Sequence, residues 1–556
     1  MNGALLIIIG ITFFLISYRI YGRYITGVFN IEESNETPAH KLSDGVDYVP
    51  TKFPVLFGHH FASIAGAGPI VGPVLGVCFG WGPVALWIIL GCVFIGAVHD
   101  LTTLIISVRN EGRSIGHIVE KYIGFSGRQI FLLFCFATLL LVVAIFSILI
   151  SKIFVASPSV ATSSIIFILM APCFGYLVYK KNLSLLKGSL FFVPLLFFGI
   201  YLGTVYPLNI VELFGVTTSL ARQIWILVLF VYVFIASVSP VWLLLQPRDY
   251  LNSYLLYIMI ILGFISILFV APAFKMPAFV GFVVDNPQKG ELRWALFPIL
   301  YVTIACGACS GFHALVSSGT TSKQISSEKH ILPIGYGAML VEGILALMAL
   351  ISVSVLTQSE FISLLGTKGP VYAFANGLAG FMDKIGISFN IGYTFVALTI
   401  SAFMLTTLDT ATRLTRFTLQ EICLPKNKLK YENKVATFLG NRYVAAFIVV
   451  FLSGYLALSG DGIKIWPVFG ASNQLLAALS LLVVTVIMIS KKMNYWIVLL
   501  PFLFMIFMSL SALWTLFIGN IIARNWPLVI ATFFLLLLSI ILVISAVFTI
   551  KKKVKA

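Results

Sequence analysis

The sequence predicts an all-α protein that crosses a membrane with about fifteen transmembrane helices. Three features of its 556 residues predict this class: 60% are hydrophobic, only 10% are charged, and long apolar runs recur from end to end. A water-soluble protein carries roughly 25% charged residues, and a membrane-spanning helix needs about 20 apolar residues. The composition therefore excludes a soluble protein and a protein with a single membrane anchor.

The apolar runs place the spans along the whole chain. The first run has no preceding positive charge and is followed by Arg19 and Arg23, which predicts a retained span rather than a signal peptide. Segment 360–384 is mixed in composition and contains glycine, which predicts an interfacial or re-entrant piece. The predicted spans are 3–21, 54–78, 82–108, 129–150, 159–179, 188–206, 223–245, 254–274, 294–318, 332–356, 388–411, 443–460, 465–490, 494–518 and 527–550.

The basic residues predict the orientation of these spans. A net charge of +16 would suggest a nucleic-acid partner in a soluble protein, but here Lys and Arg lie between apolar runs and concentrate in alternate loops. Cytoplasmic loops retain such charges, so we expect the N-terminus outside and the C-terminus in the cytoplasm. The longest loop, about 22–53, is too short for a catalytic domain. Any chemistry must take place within the lipid bilayer, and no nucleic-acid partner is expected.

The second span is expected to be broken. It contains the sequence FGHHFASIAGAGPIVGP at 57–73, in which Pro69 cannot donate to the carbonyl of Ala65. Broken backbone at membrane depth is tolerated where it lines a cavity or is buried in protein. The half-helix after the break would direct free N–H groups and its dipole at a bound carboxylate. A kinked packing helix is the alternative, but the coincidence of histidines and glycines favours a binding site. The candidate substrate-binding residues are His59, His60, Ser63, Gly66, Gly68 and Pro69.

A second interruption is expected in the seventh span, at 234–250, FIASVSPVWLLLQPRDY. There Pro240, after Ser239, would free the carbonyl of Ala236. Interrupted helices at corresponding positions in two oppositely oriented halves indicate an inverted-repeat transporter, so Ala236, Ser239 and Pro240 join the candidate substrate-binding residues. The predicted divisions are 1–53 for the first helix and a cytoplasmic loop, 54–206 and 223–423 for the two five-span repeats, and 442–556 for peripheral helices.

Polar residues in two other spans suggest ion coupling. The ninth span ends ACGACSGFHALVSSGTTSKQ at 305–324, where hydroxyls could bind Na⁺ and His313 could carry a proton. Hydrogen bonding between helices is the alternative. His99 and Asp100 lie within the third span, where a charge costs roughly 2.5–3.5 kcal/mol and needs a partner or a function. With His59 and His60 they could form a proton relay or a satisfied polar cluster. The candidate coupling residues are His99, Asp100, His313, Ser317, Ser318, Thr320 and Thr321.

Other charged residues and thiols carry weaker signals. Asp409 and Arg413 are four residues apart on one helix and are expected to form a local ion pair. Glu342, alone in the tenth span, is a further candidate for coupling. Cys306 and Cys309 form a CxxC pair, but no second pair exists for a structural zinc site. No metal and no cofactor are therefore expected.

Long stretches of the chain resemble the carbon starvation protein A (CstA) family. The matching sequences include FGHHFASIAGAGPIVGP, SPVWLLLQPRDYLNSY, GACSGFHALVSSGTTSKQI, TTLDTATRLTRF and WPVFGASNQLLAALSL, spread over 48–480. The resemblance implies a bacterial inner-membrane transporter of the amino acid–polyamine–organocation (APC) superfamily, with a LeuT-like core of five plus five helices. It also implies uptake of peptides during carbon starvation, or of pyruvate together with protons. Both substrates carry a carboxylate.

These observations lead to one principal hypothesis and two rivals. The principal one is ion-coupled import of a small carboxylate by alternating access, without enzymatic activity. The rivals are a nutrient sensor on a transporter scaffold and an intramembrane metal or redox protein that uses the histidines, which show no i, i+4 ligand spacing. The choices between peptide and pyruvate and between H⁺ and Na⁺, together with the oligomeric state, stay open.

Overall fold

In a computed structural model, the described residues are 1–556 without 45–47, 182, 241–243, 287–292, 427–430, 460–461 and 556. Nearly all of these residues are helical, and β1 (Val283–Val284) pairs antiparallel with β2 (Trp294–Ala295). Thirteen helices are long and apolar enough to cross a membrane, or up to fourteen if one bent pair counts as a single span. The predicted ninth span is divided into short helices. The all-α polytopic class is therefore confirmed.

The helices follow the predicted spans closely. In the first half of the chain they are α1 (Gly3–Ser17), α2 (Arg23–Val28), α3 (Pro38–Lys41), α4 (Phe53–Ile64), α5 (Gly68–Gly76), α6 (Trp81–Gly91), α7 (Ala97–Arg109), α8 (Ile115–Tyr122), α9 (Phe125–Ala156), α10 (Pro158–Gly175), α11 (Leu185–Val205), α12 (Ile210–Phe214), α13 (Thr218–Val238) and α14 (Leu245–Val270).

The second half has shorter helices around the ninth span and long ones after it. They are α15 (Tyr301–Thr303), α16 (Ala305–Ala308), α17 (Gly311–Gly319), α18 (Ala338–Ser354), α19 (Gln358–Lys368), α20 (Pro370–Asp383), α21 (Phe389–Ile422), α22 (Lys434–Gly440), α23 (Arg442–Ser459), α24 (Gly462–Ser490), α25 (Trp496–Ile522) and α26 (Trp526–Lys555). π-Helical turns occupy Tyr18–Gly22, Cys92–Gly96, Tyr176–Lys180, Leu296–Leu300 and Leu332–Gly337, and 3₁₀ turns occupy Val77–Phe79, Thr321–Lys323 and Glu328–His330.

The second span is broken where the sequence predicts. Helices α4 and α5 meet at an angle of 43°, and Pro69 stands in the first turn of α5, where its missing N–H has no cost. The ninth span is also broken, because Cys309 adopts an extended conformation (φ −163°, ψ 134°) between α16 and α17. The two broken spans face each other. A Cβ on Gly72 would lie 2.7 Å from the carbonyl oxygen of Thr303, and one on Gly68 would overlap Cys306.

The interruption predicted in the seventh span is wrong. Helix α13 is continuous to Val238, and Ser239 is its C-terminal cap with an extended ψ of 154°. Pro240 ends the helix instead of breaking a span, because its ring cannot continue the helical hydrogen bonds. Residues 241–243, which follow in the predicted span, lie outside the described residues. The broken partner of the second span is the ninth.

Region 442–556, expected to be peripheral, includes a helix that contacts the broken ninth span directly. Helix α24 is buried along most of its described length. A Cβ on Gly311, at the start of α17, would overlap the α24 backbone at Asn473 and Ala477, and one on Gly470 of α24 would overlap the carbonyl of Val302. Glycine at these positions permits main chains to touch, so α24 belongs to the core.

Segment 360–384 forms α19 and α20, joined at Gly369. The φ of Gly369 is +87°, a region that favours glycine. Helix α19 begins with a capping box in which Thr357 and Glu360 exchange hydrogen bonds. Helix α20 packs on α5, α18 and α21. The segment therefore covers the broken second span at one end of the molecule.

The loops fall into two groups at opposite ends of the helices, as the alternation of basic loops requires. At one end the amide of Thr51 donates to the carbonyl of Gln324 at 2.9 Å. At the other end the amide of Phe274 donates to the carbonyl of Met1 at 3.3 Å. These two contacts bring residues 51 and 324 together and residues 1 and 274 together, as the predicted alternation of spans requires for these four positions.

Candidate functional site

The break in the second span leaves a helix N-terminus that no described side chain caps. The carbonyl of Ala67, the N-cap residue, accepts from the amides of Ile70 and Val71 at 3.1 and 2.8 Å. The amide of Gly66 turns back to the carbonyl of Ile64 at 2.8 Å. The first N–H groups of a helix have no partner within the helix and carry partial positive charge. The N-terminus of α5 can therefore hold an anionic group.

Thr407, on α21, faces this break. Its hydroxyl is buried and has no hydrogen-bond partner among the described residues. A Cβ on Gly66 would lie 2.8 Å from Thr407 Oγ1 and 3.0 Å from the ring of Phe146. A few polar groups in an apolar setting are typical of a small-ligand site. No pattern in the sequence singles out Thr407, because hydroxyls are common on buried helix faces.

The two neighbouring histidines of α4 have different partners. His60 is fully buried, and its Nδ1 lies 2.9 Å from the hydroxyl of Thr321. His59 is partly exposed, and its Nδ1 lies 3.4 Å from Oδ2 of Asp249. Ser63 donates to the carbonyl of His59 at 2.8 Å, so its hydroxyl is used within α4. The described hydrogen bonds of His59 and His60 include none to His99 or Asp100. A direct proton relay would require such a bond.

A buried acid–histidine cluster connects the third, ninth and tenth spans. Oδ1 of Asp100 lies 2.7 Å from Nδ1 of His99, and Oδ2 of Asp100 lies 2.7 Å from Nδ1 of His313. The Nε2 atom of His313 lies 3.3 Å from Oε2 of Glu342. All four side chains are fully buried. The predicted coupling residues Asp100 and His313 are therefore in contact, and Glu342 joins them.

The charges of this cluster suit proton exchange. Two carboxylates flank His313, so a protonated His313 with both acids ionised leaves one excess negative charge. An uncompensated buried charge is costly, and one further proton removes it. Neither oxygen of Glu342 has a hydrogen-bond partner in the described part of the chain, although one lies near His313. Buried ionisable groups of this kind form proton relays in transport proteins.

The hydroxyls at the end of the ninth span are mostly engaged in protein contacts. Ser318 donates to the carbonyl of Ala314 at 2.7 Å, and Thr320 donates to the carbonyl of Val316 at 3.0 Å. Thr321 contacts a histidine of α4, as described above. Ser317 is buried, and its hydroxyl has no partner in the described structure. Thr321 and Ser318 make hydrogen bonds to other helices, to His60 and to the amide of Ile115, as the structural interpretation predicts, whereas the bond of Thr320 is to its own helix.

Ala236, Ser239 and Pro240 lie at the end of α13 and not at the break. The carbonyl of Ala236 is freed from the helix, because Pro240 has no N–H. A guanidinium N–H of Arg413 donates to the carbonyl of Ala236 at 2.8 Å and to that of Ser239 at 2.7 Å. A basic side chain at a helix C-terminus satisfies the last carbonyls and opposes the dipole. These residues therefore form a helix cap.

A second buried charged network lies beside this cap. Asp409, expected to pair with Arg413, contacts Arg248 and accepts from the hydroxyl of Tyr232 at 2.7 Å. Arg248 also lies 3.3 Å from Asp249, whose other oxygen faces His59. Arg248 and Asp249 fall between the predicted spans 223–245 and 254–274, and only the tertiary structure shows them buried. The network connects α4, α13, α14 and α21.

Comparison with known proteins identifies the family. The profile described as carbon starvation protein CstA matches residues 2–366 and 362–512. The chain belongs to this family. The peptide transporter CstA of Campylobacter jejuni is 34% identical over 91% of this chain and 79% of its own length. The pyruvate/proton symporter BtsT of Escherichia coli is 32% identical over 91% of this chain and 81% of its own. The crystal structure of MhsT in complex with L-phenylalanine covers 89% of this chain and 99% of that one, with a TM-score of 0.44 and 15% identity.

Membership of the CstA family confirms the resemblance seen in the sequence motifs. The chain is a multi-pass membrane protein of a transporter family, and the relatives above are named for peptide and pyruvate transport. The motifs that carry the resemblance coincide with the broken spans and with the buried clusters.

Proposed function

We propose that this protein is a secondary transporter that imports a small carboxylate nutrient, a peptide or pyruvate, across the bacterial inner membrane by alternating access, with a proton as the coupling ion. A role during carbon starvation is part of the proposal. The names of the relatives support the class of cargo and, for one of them, the proton. The N-terminus lies outside and the C-terminus in the cytoplasm, as the basic loops predict.

The observation that carries the proposal is a difference between two half-helices. The amide of Phe312, in the first turn of α17, donates to the side-chain oxygen of Asn473 at 2.9 Å, so this N-terminus is already capped. The N-terminus of α5 has no described side-chain cap, and the unpartnered hydroxyl of Thr407 lies beside it. We therefore place the cargo carboxylate at Gly66, Gly68 and Thr407.

Coupling follows from the position of the proposed carboxylate site beside the span that carries His313. A Cβ on Gly68 would overlap Cys306 of that span, and His313 lies between Asp100 and Glu342. A carboxylate bound at the break adds negative charge next to two acids and so favours a protonated cluster. Reciprocity requires that the proton favours cargo binding by the same factor. Binding of proton and cargo together is symport.

We propose a change to the predicted organisation. The LeuT-like core keeps 54–206 as its first repeat, and we place the start of the second repeat at the broken ninth span near residue 294 instead of at 223, because the ninth span is the broken span that contacts the second. The proton is preferred over Na⁺ as the coupling ion because one relative is named a pyruvate/proton symporter and because the acid–histidine cluster is fully buried. The hydroxyls of Ser318 and Thr320 donate to carbonyls and keep oxygen lone pairs that a cation could use. His60 and Ser63 contribute the polar lining of α4 below the seat.

Purified protein in liposomes tests the proposal. An inward pH gradient should drive accumulation of labelled pyruvate or of a dipeptide, and an equal Na⁺ gradient should not. Glu342→Gln should abolish pH-driven accumulation while exchange of internal for external cargo continues, because an amide cannot exchange the proton. Glu360→Gln, the same change at an exposed helix cap, is the matched control. Accumulation that is indifferent to the pH gradient would reject the proton as the coupling ion.

A further inference from the structure

We propose that Asn473, on α24, is a positioning residue that fixes the first turn of α17 and thereby orients His313 for coupling. This inference rests on the proposed function, because it concerns the same proton-binding cluster. Asn473 belongs to a helix that the sequence places outside both repeats. Its side chain is fully buried, yet it contacts neither Asp100 nor Glu342 among its described hydrogen bonds.

The amide of Asn473 spans the break in the ninth span. Its oxygen accepts from the backbone N–H of Phe312 at 2.9 Å. Its nitrogen donates to the hydroxyl of Ser310 at 3.0 Å and lies 3.4 Å from the sulfur of Cys306. One side chain thus binds the last turn before the break and the first turn after it. The two halves of the span cannot rotate independently while these bonds persist.

Other side chains of α24 replace helical hydrogen bonds that the ninth span has lost. Gln474 donates to the carbonyl of Tyr301 at 2.6 Å, and the indole N–H of Trp466 donates to the carbonyl of Thr303 at 3.4 Å. A broken helix inside a membrane must satisfy its freed backbone groups with protein partners. Helix α24 therefore supports both sides of the break, and Asn473 is its contact to the α17 side.

The residue after Phe312 is His313, so the hydrogen bond of Asn473 sets the position of the coupling residue. The backbone of α17 starts at Gly311, where only glycine lets α17 touch α24. His313 makes contacts through both ring nitrogens, to Asp100 on one side and Glu342 on the other. A small rotation of this turn would break one of these contacts. Asn473 thus acts on the proton site through the main chain.

Transport by reconstituted protein tests this role with three variants. Asn473→Leu removes the acceptor and the donor at similar volume, Asn473→Asp keeps the acceptor for Phe312, and Ser480→Ala is a matched change at a buried residue of the same helix. The measurements are KM and kcat for pH-driven pyruvate uptake, the pH profile of uptake, and the number of protons moved per pyruvate. Thermal denaturation in detergent verifies folding.

We expect Asn473→Leu to lower kcat by about 5- to 150-fold, since that range corresponds to the loss of buried hydrogen bonds. KM should stay within about twofold, since Asn473 does not touch the cargo seat, while the pH profile shifts and the proton-to-pyruvate ratio falls. Asn473→Asp should restore most of the coupling, and Ser480→Ala should resemble the wild type.

A higher KM with an unchanged pH profile would overturn the inference, because it would place Asn473 at the cargo. Loss of kcat in Asn473→Leu without any change in the pH profile or in the proton-to-pyruvate ratio would also overturn it. If Asn473→Leu does not fold, Asn473→Ala decides in its place: an unchanged pH profile together with an unchanged proton-to-pyruvate ratio contradicts the role. Failure of the wild type to respond to a pH gradient rejects the proposed function instead.

Discussion

The side chain of Glu328 contacts two other segments of the chain at one end of the molecule, and the effect of its substitution on the attachment of the loop there can be calculated. Its carboxylate is almost fully buried and accepts from Arg109 Nε at 2.8 Å and Nη2 at 2.9 Å. It also accepts from the side chain of Asn35 at 2.9 Å and from the backbone of Glu32 at 3.3 Å. These hydrogen bonds hold loop 29–52 against the ends of the third and tenth spans.

The substitution Glu328→Gln removes the charge and keeps the volume. Removing one partner of a buried ion pair costs about 3–5 kcal/mol, because the other charge is left buried. The Arg109 side chain is 35% exposed, so water replaces part of the lost interaction, and we expect about 1–3 kcal/mol. A change of this size raises the population of the detached loop by about 5- to 150-fold.

Amide hydrogen exchange measured by mass spectrometry reports this population. Peptides that contain Thr51, whose amide donates to the carbonyl of Gln324, should exchange faster in the variant by the factor given above. Glu111→Gln is the control, because the side chains of Glu111 and Arg113 are 53% and 42% exposed and such pairs contribute about 0–1 kcal/mol. Equal exchange rates in the two variants would refute the assignment of Glu328 as the fastening residue.

Three further predictions concern other parts of the structure. Thr407→Val should raise KM for pyruvate by about tenfold through loss of a hydrogen bond to a charged group, whereas Thr412→Val, which removes only a bond within α21, should not. Gly68→Ala should lower the free energy of unfolding by about 1–3 kcal/mol, because the added methyl group overpacks against the ninth span. Thermal denaturation measures this loss, and an unchanged melting temperature would contradict it. Burial and the neighbouring charge of Arg113 hold the pKa of His117 below its ordinary value, so the folded state binds the proton less well than the unfolded state. The stability of α8 should therefore decrease as the pH falls through about 6.5. Amide hydrogen exchange in α8, relative to its intrinsic rate at each pH, should rise in the wild type but not in His117→Gln.

The sequence predicted the first break because its cause is local. Proline and two glycines within one apolar run prevent regular hydrogen bonding wherever the run lies, and the structure breaks at Ala65 to Ala67. Pro240 carries the same local signal but stands where α13 ends. A proline shows that a helix cannot continue, and only tertiary structure shows whether the span is complete at that point.

The break in the ninth span and its cluster depend on contacts between distant segments. No proline marks the junction at Cys309, and the support comes from α24 about 160 residues later. The sequence grouped Asp100 with His313 as coupling residues, because charges within spans need a function. The sequence could not show that Glu342 lies on the far side of His313. Helical periodicity shows which residues share a helix face, but not which other helix packs against that face.

The hydrogen bonds of the Arg413 guanidinium restrict which parts of the protein can move. Arg413 is buried, so separating α13 from α21 would break both of its hydrogen bonds to carbonyls where little water can replace them. Together with the contact between Arg248 and Asp409, this binds α13, α14 and α21 into one rigid body. If the protein works by the proposed alternating access, we expect movement at the boundary of this group with α4, where His59 and Asp249 lie 3.4 Å apart and the imidazole is 15% exposed.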